Sequence, residues 1–170
     1  GVCAYAQTNL APDFQEPFKL DITSGKSIVM KSDIGVKRIS VGSPEIADFI
    51  LLSPKEIYIK GKAAGFTNMI LWQEGGITTI YDIEVTYDIS RLKEKIYHIL
   101  PDEKEIQVMS SNDSLTLSGR VSSAANLSQA MVLASSYAPA GKVNNLLTVG
   151  GTHQVMLEVK ISEMSRSVGK

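Results

Sequence analysis

The rhythm of this chain changes once, at Tyr87-Asp88, and that change limits the possible folds more than any other feature. From Phe18 up to that point, apolar residues recur in short runs at about every second position. A period of two puts alternate side chains on opposite faces of an extended backbone, so each run predicts a half-buried strand. The expected strands are 18–22, 26–31, 36–41, 46–52, 56–60, 66–72 and 77–87. Ser24-Gly25, Ser53-Pro54 and Glu74-Gly75-Gly76 supply turn chemistry between them, the last as a hairpin turn. Ser43-Pro44-Glu45 suits the cap and first position of one short helical turn.

After Tyr87 the spacing lengthens. Ile89, Leu92, Ile96 and Ile99 fall at helical intervals, Asp88 or Ser90 can cap the start, and Pro101 closes the segment. Strands at 105–109 and 114–121 follow, the second with Leu115, Leu117 and Val121 on one face. Ser122-Ser123 then offers a cap to a second helix reaching Tyr137, with Leu127, Ala130, Met131, Ala134 and Ala138 on one stripe. Residues 143–149 read as a last strand. The expectation is an α+β protein of two small domains, a mostly-β one over 17–87 and an αββαβ one over 88–150, preceded by a lead-in over 1–16.

A third unit begins past Gly150-Gly151. In Thr152 to Arg166 the residues Val155, Leu157, Val159 and Ile161 alternate with Gln154, Glu158, Lys160 and Ser162, which predicts a strand with one buried face. Only Glu163 to Lys170 follow it, so its partners are expected in downstream sequence, upstream domains or another copy of the chain. The chain is accordingly expected to be a fragment.

With 44% hydrophobic and 21% charged residues, the 170-residue chain has the composition of a folded protein. Seventeen basic against eighteen acidic residues give a net charge of −1 without a basic block, which argues against nucleic acid as a partner. No apolar run approaches the roughly 18–20 residues of a membrane-spanning helix. Cys3 is the single cysteine, so neither an internal disulfide nor a cysteine-based zinc site can form. Ala4-Tyr5-Ala6 before Gln7 has the small-x-small form of a signal-peptidase site, so export with cleavage after Ala6 is expected.

The chain offers little catalytic chemistry. Gly25-Lys26-Ser27 ends like a phosphate-binding loop, but Leu20 stands where the first glycine is needed and no helix follows, so it reads as a turn. His98 and His153 lack neighbouring ligands at metal spacing, and His98 is expected on a solvated helix face. No catalytic, cofactor-binding or metal-binding residue is assigned, and no cofactor is expected. Trp72 is expected to put one face in the core, and Gly119, inward in its strand, suggests the close approach of a helix or a bulge.

Three stretches in order carry a resemblance: Ser24-Gly25-Lys26-Ser27, then Val41-Gly42-Ser43-Pro44-Glu45-Ile46-Ala47-Asp48, then Ile59-x-Gly61 through Gly65-x-Thr67-Asn68-x-Ile70-x-Trp72. They are similar to the N-terminal domain of pilus-assembly secretins. Leu115-Thr116-Leu117-Ser118-Gly119-Arg120-Val121 leading into a capped helix resembles the BON domain. The terminal run, with Gln154, Val155, Leu157, Val159, Ile161, Glu163 and Arg166, looks like the opening of the secretin domain. Together they resemble the outer-membrane secretin of Tad (Flp) pili, within the type II/III secretion system secretin family.

The resemblance implies a non-enzymatic, homo-oligomeric periplasmic ring at the outer membrane. Its implied partners are other copies of the chain, pilus subunits, inner-membrane pilus assembly proteins and a pilotin lipoprotein, with those seven terminal residues as an assembly strand. The alternative is a stand-alone periplasmic BON-containing adaptor that binds lipid or cell wall.

Overall fold

The structure, a computed structural model, describes residues 16–150. The first region contains β1 (Phe18–Thr23), β2 (Ser27–Lys31), β3 (Val36–Val41), β4 (Ala47–Ser53), β5 (Glu56–Gly61), β6 (Gly65–Gln73) and β7 (Ile77–Thr86). The four-stranded sheet runs β1-β7-β6-β3 and the three-stranded sheet runs β2-β5-β4. Alternation decides which side chains meet between them. Ile22, Met69, Leu71, Ile83 and Val85 from the larger sheet pack against Ala47, Ile57 and Ile59 from the smaller, forming one dry core. The β6–β7 hairpin closes through a tight turn at Glu74–Gly76, as the sequence predicts.

The turn expected at Ser24-Gly25 is present, with the Lys26 amide donating to the Thr23 carbonyl at 3.0 Å and Gly25 at φ +84°. At Ser43-Pro44-Glu45 the Ile46 amide donates to the Ser43 carbonyl at 3.0 Å, so the chain makes a single turn before β4. The expectation for Trp72 is corrected. Met69 and Leu71 take the inward positions of β6, so Trp72 faces outward, half-buried, with the Arg38 guanidinium 4.2 Å from its ring centroid. Four consecutive apolar residues, Met69 to Trp72, leave the parity of a strand unreadable from sequence.

The second region contains α1 (Ile89–Ile99), β8 (Ile106–Ser111), β9 (Ser114–Val121), α2 (Ala124–Ser135) and β10 (Val143–Val149). Its sheet runs β10-β9-β8, with β10 parallel and β8 antiparallel to β9. The helices cover one face, over Leu115, Leu117, Val121, Val108 and Leu147. Asp88 caps α1 through the Arg91 amide and Ser123 caps α2 through the Asn126 amide. On α1, Leu92 and Ile96 are buried as expected, but Ile99 is exposed and Leu100 fills the core in its place. The helix ends at Ile99, and the bent backbone of Leu100 turns that side chain back under α1. Ala130 and Ala134 of α2 are fully buried, which lets the helix lie close to the sheet.

Gly119 is the tightest point of this sheet. It sits at φ +105° opposite Ile106, and a Cβ there would overlap the carbonyl oxygen of Glu105. The close neighbour is thus the backbone entering β8, neither a helix nor a register shift. Gly119→Val is expected to destabilise the second region by at least about 1–3 kcal/mol, since a β-branched residue disfavours that φ and cannot clear the carbonyl. Amide hydrogen exchange at Leu117 and Leu147 should accelerate accordingly, and unchanged protection would contradict this reading of the strand.

Candidate functional site

The feature that stands out is the junction between the two regions. β7 ends at Thr86, and the next residue, Tyr87, places its side chain in the core of the second region beside Leu92, Leu115 and Ala134. A buried tyrosine needs a partner for its hydroxyl. The Tyr87 hydroxyl donates to the backbone carbonyl of Asp113, and the Tyr87 amide donates to Ser110 Oγ at 3.3 Å. Ala64, in the turn from β5 to β6, packs into the same core. That turn is itself held, because the Lys62 and Ala63 amides both donate to the Ile46 carbonyl, at 2.7 and 3.1 Å. Lys26 Nζ, 3.8 Å from Asp88 Oδ2, adds an ion pair from the first turn of one region to the helix cap of the other.

A cleft of about 680 Å³ opens beside this seam. Ser24, Lys62 and Ala63 line it from the first region, and Tyr137, Pro139 and Lys142 from the second. Its carboxylates are engaged: Asp88 by Lys26, and Asp113 by Lys142 Nζ at 2.7 Å. The lining holds no histidine or cysteine, and the described residues contain no group of three or more His, Cys, Asp or Glu able to hold a metal ion. His98 lies on the exposed side of α1, as the sequence predicts. Among the described residues no helix is long and apolar enough to cross a membrane. The arrangement holds two regions together and assembles no nucleophile with a base.

Charge also steadies the second region beside the seam. The hydrogen bond and charge of Lys142 hold the Asp113 carboxyl below its ordinary range, and the same pair raises Lys142. Burial, then the nearby Asp113 charge, pushes the Tyr87 hydroxyl up. Farther from the junction, burial works to raise Glu103, but hydrogen bonds from Ser122 and Asn126 outweigh it and leave the carboxyl lowered. Glu103 thereby ties the loop after α1 to the start of α2.

None of the seven assembly-strand residues expected from sequence, Gln154, Val155, Leu157, Val159, Ile161, Glu163 and Arg166, lies within the described residues, and neither does the expected cleavage site at Ala6. The junction residues that matter, Tyr87, Ala64, Asp113 and Lys142, carry no motif. The one signal for Tyr87 was an aromatic residue at the point where the period changes.

The sign of the pH dependence follows from Asp113 and Lys142. The pair contributes fully above the unfolded carboxylate pKa of about 3.9 and below the unfolded lysine pKa of about 10.4. Its contribution is lost as pH falls through the depressed Asp113 value or rises through the raised Lys142 value. Lys142→Met should therefore lower the unfolding midpoint by a constant amount between about pH 5 and 9, with the difference from wild type shrinking toward zero below about pH 3 and above about pH 11. A difference that ignores pH would mean the lysine acts through packing alone.

Comparison with known proteins agrees with the two-part fold. Residues 16–86 match the family described as Pilus formation protein N terminal region, and residues 88–151 match the BON domain. No curated protein matches the chain. The two families are non-enzymatic and typical of periplasmic proteins, and they point to a periplasmic role related to pili or secretion. A pilus-formation N-terminal domain followed directly by a BON domain fits the N-terminal periplasmic part of a secretin-type protein.

Proposed function

We propose that this chain is the periplasmic, ring-forming part of an outer-membrane secretin of the Tad pilus type, through which a pilus or secreted substrate passes. The observation that carries the reading is the order of the two matched domains on one chain. The seam at Tyr87 supports it mechanically, since domains stacked around a passage must keep one orientation relative to each other. The proposed partners are further copies of the chain, pilus subunits, inner-membrane assembly proteins and a pilotin lipoprotein, and the proposed location follows export with cleavage after Ala6.

In this reading Gln154 to Arg166 opens the sheet shared around the ring, with Val155, Leu157, Val159 and Ile161 as its apolar face. Leu157→Asp would bury an unpartnered carboxylate there, at a cost on the order of several kcal/mol. Full-length protein carrying Leu157→Asp should be exported and keep both upstream domains folded, yet lose the high-mass multimer seen for wild type by native electrophoresis of envelope extracts. Normal multimers in the mutant would remove the strand from the shared sheet. A full-length wild type that stays monomeric and binds lipid or cell wall would favour the adaptor instead.

A further inference from the structure

The first domain has two outer faces, and both carry large apolar side chains in the open. On the three-stranded sheet, Val29, Tyr58 and Ile50 are direct cross-strand partners and form one row across β2, β5 and β4. Val29 is 52% exposed and Ile50 58%. Lys60 stands in the next row beside Ser27 and Asp48. On the four-stranded sheet, Phe66 is 57% exposed and its cross-strand partner is Glu84, with Asp21 paired to Glu84 from β1. Asp82 lies one row further along the same face, where its cross-strand partner on β1 is Lys19, so the unbalanced acidic pair beside Phe66 is Asp21 and Glu84. Among the described residues, none of Asp21, Asp82, Glu84 and Lys60 forms an ion pair within the chain.

Because the two sheets pack core to core, these outer faces lie on opposite sides of the domain. Contiguous exposed apolar residues rimmed by charge mark interaction surfaces. A cyclic assembly needs two different surfaces, one for each neighbour, facing away from each other. Building on the ring reading above, we infer that the outer face of β2-β5-β4 on one copy docks against the outer face of β1-β7-β6-β3 on the next. The Val29-Tyr58-Ile50 row meets Phe66, and Lys60 meets the Asp21 and Glu84 carboxylates. The contact is heterologous, so it propagates from copy to copy until a ring closes.

Cysteine cross-linking reads this pairing directly. In the 170-residue chain with its single cysteine removed by Cys3→Ser, Ile50→Cys and Phe66→Cys are introduced together and treated with a short bismaleimide. The double variant is expected to give a ladder of dimers, trimers and larger products, while each single variant gives none above the cysteine-free background. In parallel, Ile50→Asp is expected to weaken self-association at least tenfold in sedimentation equilibrium without shifting thermal unfolding, because the side chain is exposed. Cross-linking of either single variant as efficient as the double would mean like faces meet, which overturns the pairing. A wild type that forms multimers while the double variant gives no ladder overturns the pairing and leaves the ring reading intact. A 170-residue wild type that forms no multimer at any concentration overturns the pairing, and the ring reading falls with it only if the full-length protein also stays monomeric.

Discussion

The second domain depends on a side chain that directly follows the last strand of the first. Tyr87 follows β7 without a linker and its ring is part of the BON-type core, with its hydroxyl tied to the Asp113 carbonyl. Ala64 enters the same core from the β5–β6 turn. A domain this small is near the size at which a single hydrophobic core sustains itself, so borrowed surface matters. Removing the Tyr87 ring would open a cavity in the second domain and release the first in the same step. The ion pair from Lys26 to Asp88 lies partly exposed and is worth little next to that burial.

The strand order and both helices were legible in the sequence because they rest on local signals. Period-two alternation marks β1 to β7, and the caps at Asp88 and Ser123 mark where α1 and α2 begin. What local signals cannot carry is which strand pairs with which. The parallel pairing of β1 with β7 spans most of the first domain and has no turn between the two to announce it. Parity failed at Trp72, where apolar residues occupy both faces, and the α1 stripe slipped by one residue from Ile99 to Leu100, where the helix had already ended. At Gly119 the inward glycine announced the crowding but not its source, since the Glu105 backbone comes close only once β8 pairs with β9. The junction was the least legible part. Lys142 and Asp113 are ordinary surface residues until the fold brings them to 2.7 Å.

These features hold two domains in one arrangement. The titratable groups near the cleft are spent on holding elements together, and the exposed apolar residues sit on sheet faces, where flat surfaces can stack. A seam that fixes two domains and opposite faces that can each meet a neighbour are the properties required of a repeating wall. They are also what a pilus-formation domain and a BON domain on one chain would need in order to act as a single building block.

The Tyr87 seam requires the two domains to move as one body, and their relative orientation in solution tests that directly. Residual dipolar couplings of the backbone amides in a weakly aligned sample should fit a single alignment tensor for both domains, with the interdomain orientation seen in the structure. Couplings that demand two tensors of different magnitude would show that the domains tumble independently, and the Tyr87 seam would then be no more than a tether.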